Sequence, residues 1–247
     1  MLLPKFIDRF LISLLSKKGY VRSRSTDAPA IARRMQLFSS QSIDLVIDIG
    51  ANTGQYALQL REAGYKNRII SFEAMKAAYN KLKLTTQKNI DWECFQLGLG
   101  HVQEEKLINI SENSISSSLL KMENRHKENA PDSVYISQET IRVSTLDEQF
   151  QKVYRGEKNI WLKIDVQGYE SFVLQGSKKT LAMCKIVQME ISLVSLYEGQ
   201  ATFVELINMM ENFGFDFIGV EAGFQELNSG ILLQVDGIFK NRLLINE

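Results

Sequence analysis

Three acidic residues occupy equivalent places in the chain, each at the end of an apolar run and just ahead of a turn. Asp48 follows Leu45-Val46-Ile47 and leads through Gly50 and Gly54 into an apolar-periodic stretch holding Ala57, Leu58 and Leu60. Glu73 closes Ile69-Ile70-Ser71-Phe72, and Asp165 closes Ile160-Trp161-Leu162-Lys163-Ile164 just before Gly168. Continuous apolar runs of this length are the pattern of strands buried on both faces. Open α/β sheets bind ligands in the crevice beyond the carboxyl ends of such strands. The glycine spacing narrows the ligand. A dinucleotide site uses G-x-G-x-x-G so that the backbone can approach a pyrophosphate. Here Gly50 and Gly54 are separated by three residues with no glycine among them, and Asp48 stands immediately upstream. A carboxylate in that position suits a cationic or amine-bearing ligand better than a pyrophosphate.

S-adenosylmethionine meets that description, with a sulfonium, an ammonium and no phosphate, and residues 48–56 look like motif I of class I methyltransferases. On that reading Asp48, Gly50, Asn52, Thr53, Gly54 and Tyr56 form the cofactor turn. Glu73 lies about 20 residues beyond the glycine turn, where nucleotide folds place a carboxylate on the ribose hydroxyls. The plainer reading is that Glu73 opens the helix from Ala74, because acids favour helix N-termini. Gln96 and Leu97, before the turn at His101, border the expected adenine pocket.

Around Asp165 a second constellation gathers. Period-two alternation points Lys163 and Asp165 to one face, and Lys163 is readable as a buried ion-pair partner. Glu170 opens the next helical stretch and Glu190 closes the apolar run ending at Met189. Asp165, Glu170 and Glu190 could bind a divalent metal, orient a substrate hydroxyl or act as base. For Glu170 the capping of a turn is an equal explanation. His126 is a catalytic candidate if the polar segment around it folds over the substrate; otherwise it and His101 are surface histidines.

The elements that must hold these groups follow from periodicity. Strands are expected over 44–49, 69–73, 92–97, 159–165, 185–191, 215–221 and 231–239, with helices over 53–64, 75–88, 169–182 and 201–213. Alternation of this kind implies a parallel sheet covered on both faces. Only a loop around 222–230 joins the last two strands, so the final one should return antiparallel. The expected organisation is a helical extension over 1–40 and one α/β domain over 41–247. An insertion over about 104–145 interrupts the alternation, and its polar stretch 111–137 reads as an active-site flap. Residues 2–15 pattern as an amphipathic helix with Phe6, Phe10 and Leu14 on one stripe, giving packing on the domain or membrane-surface contact. Lys5, Asp8 and Arg9 interrupt that stretch and exclude a transmembrane span.

Composition is that of an ordered, cored domain: 247 residues, 45% apolar, three prolines, and 29 basic residues balanced by 29 acidic ones. The balance supplies no field for nucleic acid. Cys94 and Cys184 are read as reduced core thiols of a cytoplasmic protein.

Taken in order, Asp48-Ile49-Gly50-Ala51-Asn52-Thr53-Gly54-Gln55-Tyr56, the strand ending at Glu73, Ser116-Ser117-Ser118-Leu119, Ser144-Thr145-Leu146-Asp147 and Lys163-Ile164-Asp165-Val166-Gln167-Gly168-Tyr169-Glu170 resemble the FkbM family of methyltransferases over residues 44 to 240. The resemblance implies a class I, Rossmann-like methyltransferase fold and S-adenosylmethionine-dependent O-methylation of a sugar, glycan or secondary-metabolite hydroxyl. Gln167 departs from the Glu common in the family, so a charge there is dispensable. Ala74 and Met75 stand where a proline commonly follows the acid. The alternatives are an NAD-dependent oxidoreductase, opposed by Asp48 and the missing glycine, and a non-catalytic cofactor-binding module, opposed by the retained acids. A nucleic-acid methyltransferase would carry a basic face and an Asn/Asp-Pro-Pro-aromatic signature, and the chain has neither.

Overall fold

The computed structural model describes residues 28–244. The amphipathic stretch 2–15, with its expected membrane contact, lies outside the described residues. Helix α1 (Ala28–Ser40) is followed by β1 (Leu45–Ile49), α2 (Gln55–Glu62), β2 (Arg68–Glu73), α3 (Lys76–Thr86) and β3 (Trp92–Gln96). Next come β4 (Gly98–Leu99), β5 (Glu104–Ser111), α4 (Asn124–Asn129), β6 (Tyr135–Ser144), α5 (Leu146–Val153) and β7 (Ile160–Ile164). The chain continues through α6 (Glu170–Gln175), α7 (Lys178–Leu181), β8 (Cys184–Ser192), α8 (Phe203–Asn212), β9 (Phe215–Ala222) and β10 (Gln234–Asn241).

The seven-stranded sheet has the order β3-β2-β1-β7-β8-β10-β9. All its pairings are parallel except those of β10, which is antiparallel to both β8 and β9. The apolar runs of β1 and β7 have a direct cause. Leu45, Ile47 and Ile49 of β1, with Ile160, Leu162 and Ile164 of β7, face a layer formed by α5 to α8. Val46 and Trp161 face the opposite layer, which includes Phe38 of α1, Ala57 and Leu60 of α2 and Leu82 of α3. Every residue of both strands is buried, so no polar alternation survives in the sequence. The polar exceptions, Asp48 and Lys163, are cross-strand partners on the α1–α2 side.

Several expectations change in detail. The helix expected over 169–182 is two short helices, α6 and α7. Helix α5 was not anticipated, because only Leu146 and Phe150 are buried along it. Its start was nonetheless written in the chain: Thr145 accepts the Glu148 N–H as an N-cap, a Thr-x-x-Glu signature. The segment 104–145 is a structured subdomain. β5 and β6 form a long antiparallel hairpin, joined on the other edge of β6 by the short parallel strand β4. Between them, residues 111–118 make a tight cluster of serine hydroxyl bonds, and Asn109 exchanges backbone hydrogen bonds with Ser118. His126 is 3% exposed, so it is a core residue, with its ring 5.2 Å from those of Tyr197 and Phe224. Cys94 and Cys184 are unpaired. No helix among the described residues is long and apolar enough to cross a membrane.

Candidate active site

A cavity of about 370 Å³ opens at the carboxyl ends of β1, β2 and β7, and Asp48, Glu73 and Asp165 all line it. The volume lies within the range of small-molecule sites. Its floor is the turn after β1. Gly50 has φ +78°, and a Cβ there would lie 1.7 Å from the backbone carbonyl oxygen of Asp165. The amides of Gly50 and Ala51 both donate to the Phe72 carbonyl at 3.0 Å, which ties the turn to the end of β2. Asn52 adopts φ +48° and donates its N–H to Glu73 Oε2 at 2.8 Å.

The other Glu73 oxygen accepts the Met75 N–H at 2.7 Å. Glu73 therefore faces the cavity and organises the backbone ahead of α3. Burial raises its pKa to about 7, against the pull of those amide donors. Asp48 is 2% exposed and takes a long hydrogen bond, 3.4 Å, from the Ser71 hydroxyl. Burial raises it likewise to about 7, with Lys163 opposing the shift.

Lys163 sits 3.0 Å from Asp165 Oδ2 and 3.7 Å from Asp236 Oδ1. Burial alone would discharge the amine, but the surrounding carboxylates, Asp165 foremost, hold it charged. Burial alone would likewise raise the Asp165 carboxyl, and Lys163 overrides it and keeps Asp165 below its ordinary value. Gln167, at φ +55°, completes the arrangement by donating to Asp165 Oδ1 at 2.9 Å and Glu190 Oε2 at 2.7 Å. The serine cluster clamps this residue. Ser118 Oγ donates to the Gln167 carbonyl at 2.6 Å, and the Tyr197 hydroxyl donates to Gln167 Oε1 at 2.7 Å. The segment 111–118 also reaches the cavity directly through Ser114, Ile115 and Ser117.

Of the residues expected to contact a cofactor, Asp48, Gly50, Asn52, Tyr56, Glu73, Leu97 and Asp165 line the cavity, while Thr53, Gly54 and Gln96 do not. The Thr53 amide is turned to the Gln55 side chain, Gly54 packs against Leu82 and Trp92, and Gln96 is exposed. Of the catalytic candidates only Asp165 reaches the cavity wall. Glu170 Oε1 accepts the N–H groups of Val166 and Gly168, which is the turn-capping role, and burial raises it to about 7. Glu190 is held by the amides of Gln167 and Gln234. His126 Nε2 lies 3.3 Å from Ser116 Oγ, away from the cavity, and His101 is an exposed ring against Phe172. Among the described residues no group of three or more His, Cys, Asp or Glu is arranged to hold a metal ion.

Local sequence patterns give no sign of the fourth wall. Arg34 of α1 and Asp236 of β10 line the cavity beside Tyr56 and Lys163. Arg34 lies 5.0 Å from the centre of the Tyr56 ring and makes a forked ion pair with Glu221 of β9 at 2.9 and 2.6 Å. The Tyr56 hydroxyl donates to Gln188 Oε1 at 2.8 Å, and Gln188 in turn donates to Glu221.

Residues 48–217 match the family model described as the methyltransferase FkbM domain. Among solved structures, the chain is similar to methyltransferase FkbM from Methylobacillus flagellatus KT at 12% identity and a TM-score of 0.50, over 94% of this chain and 59% of that one. It is also similar to TehB from Haemophilus influenzae, at 12% identity and a TM-score of 0.48 over 89% of this chain and 64% of that one. A third likeness is Aeropyrum pernix fibrillarin with natively bound S-adenosyl-L-methionine, at 10% identity and a TM-score of 0.44 over 79% and 66% of the two chains. The chain thus spans less than two thirds of each of these structures. Comparison with curated proteins returns no match.

Proposed function

The chain belongs to the FkbM methyltransferase family, and from that premise we propose that it transfers the methyl group of S-adenosylmethionine to a hydroxyl of a sugar, glycan or secondary metabolite. The observation that carries the reading is the convergence of Asp48, Glu73 and Asp165 on one cavity, over a glycine turn that no side chain could occupy. These residues fit the cofactor: Glu73 keeps lone pairs free for ribose hydroxyls, and the carboxylates of Asp48 and Asp165 match its cationic methionine end. When bound, S-adenosylmethionine supplies a methyl group on a positively charged sulfur, already primed to leave.

The chain's own work is then alignment and proton handling. Proximity supplies much of the acceleration in such a displacement. Lys163 keeps Asp165 ionised, so its carboxylate orients the acceptor hydroxyl as a hydrogen-bond acceptor. The bound cofactor would supply its methyl group to the acceptor oxygen, and the carboxylates of the wall would take up the proton that the hydroxyl gives up. The products are a methyl ether, S-adenosylhomocysteine and a proton. Calorimetric titration with S-adenosylhomocysteine tests the reading. Micromolar binding by the wild type, lost in Asp48→Ala and Glu73→Ala, is the expected result. Binding of NAD in place of S-adenosylhomocysteine would overturn it.

A further inference from the structure

Beside Tyr56 and Lys163 the cavity wall includes two residues outside the segment that matches the family model: Arg34 precedes it and Asp236 follows it, as does Glu221, the partner of Arg34. Arg34 is 6% exposed. Its Nε and Nη2 are spent on Glu221, whereas its Nη1 has no hydrogen-bond partner among the described residues. A buried donor left unmade costs on the order of 1–3 kcal/mol and calls for an explanation. Asp236 presents the matching defect. Its Oδ1 is buried and accepts no hydrogen bond, although Lys163 lies 3.7 Å away. The two residues that carry this unspent donor and this unspent acceptor therefore line the same cavity, within electrostatic reach of each other.

We infer that Arg34 and Asp236 are the acceptor-recognition pair, gripping one hydroxyl from both sides and selecting uncharged polyhydroxylated acceptors over anionic ones. The inference rests on the methyltransferase reading above. A hydroxyl donates once and accepts as well, so it satisfies both groups, whereas a carboxylate or phosphate oxygen would satisfy Arg34 and face Asp236 unprotonated. The charge balance points the same way. The guanidinium is already paired by Glu221, and Lys163 is flanked by Asp165 and Asp236. The wall thus carries two cations against three carboxylates and has no surplus positive charge to offer an anion.

The test uses Arg34→Lys, which keeps a cation for Glu221 but loses the second prong, and Asp236→Asn, which keeps the shape but loses the charge. Calorimetry with S-adenosylhomocysteine reports fold and cofactor site in each. Radiolabelled methyl transfer from S-adenosylmethionine is then followed to neutral methyl pyranosides, the matching uronates and sugar phosphates. The wild type is expected to label a neutral glycoside at least about tenfold faster than its charged counterparts. Both variants should bind S-adenosylhomocysteine within about threefold of wild type yet lose about tenfold or more in kcat/KM for the glycoside, the equivalent of one hydrogen bond. In Asp236→Asn the handicap of the uronate should shrink, a change that a merely structural role would not produce. Three results overturn the inference: preference for the uronate or phosphate, variants that transfer at wild-type rates, or a wild type that binds S-adenosylhomocysteine but labels no neutral glycoside. Failure of the wild type to bind S-adenosylhomocysteine would instead overturn the cofactor reading itself.

Discussion

Replacing Gly50 by alanine isolates what the turn after β1 contributes. Two costs are expected. The left-handed backbone at φ +78° costs a residue with a Cβ about 1–2 kcal/mol. The added carbon would also sit 1.7 Å from the Asp165 carbonyl oxygen, so that backbone must retreat by more than an ångström. Retreat breaks the hydrogen bond from the Asp165 amide to the Ile49 carbonyl, 3.0 Å long, at the point where β1 and β7 part. Its loss adds about 1 kcal/mol, giving a total of about 2–3 kcal/mol before any further distortion. The control is Gly64→Ala, where φ is +102° but nothing lies within 4 Å of the new carbon. Only the backbone cost applies there. At about 2–4 °C per kcal/mol, the melting temperature should fall by roughly 2–8 °C for Gly64→Ala and by roughly 4–12 °C for Gly50→Ala. The larger difference should appear in binding. A displaced Asp165 carboxylate and a displaced turn misplace both ends of the cofactor, and a shift of an ångström costs on the order of 100-fold in turnover. Thermal melting and calorimetry with S-adenosylhomocysteine are the assays. Near-wild-type affinity in Gly50→Ala, or an equal affinity loss in Gly64→Ala, would refute the close-approach argument.

Four further outcomes follow from the same geometry. Glu73→Gln should lose about 1–3 kcal/mol of stability and most cofactor affinity, because an amide nitrogen would then face the Asn52 or Met75 N–H; chemical denaturation and calorimetry check it. Asp48 and Glu73 stand at about 7, raised by burial, so a cationic ligand must pull protons off them. S-adenosylmethionine affinity should therefore rise with pH through about 7, more steeply than that of uncharged-sulfur S-adenosylhomocysteine, with proton release measurable in buffers of different ionisation enthalpy; a flat profile would refute it. His126, lowered by burial to about 4, is neutral in the fold while the unfolded chain protonates near 6.5. Its contribution to stability is thus full above that value and lost as pH falls toward 4, and His126→Phe should flatten that limb while leaving the turnover profile unchanged. Tyr197→Phe removes the hydroxyl that holds Gln167, so turnover should drop with little change in cofactor affinity; rates at saturating cofactor test this.

Legibility tracked the range of the interactions. Strands β1, β2 and β7 could be read because burial on both faces leaves nearly continuous apolar runs, and the acids could be read because each stands within a residue of its strand's carboxyl end. The crevice set of Asp48, Gly50, Glu73 and Asp165 was therefore accessible from local pattern. Glu170, Glu190 and His126 carried equally suggestive residue types. Their side chains are instead spent on a turn, on two glutamine amides and on an aromatic pocket, outcomes that depend on where distant segments pack.

The sequence by itself determined the fold class, the antiparallel last strand and the acidic, glycine-floored crevice, because those depend on neighbours a few residues apart. Only the tertiary structure decided what closes that crevice. Arg34 meets Glu221 across 187 residues, and Asp236 comes to Lys163 only because β10 turns back to pair with β8. A lone arginine in a helix or an aspartate in a strand carries no signature of its partner; burial and charge pairing assign those roles when the chain closes on itself.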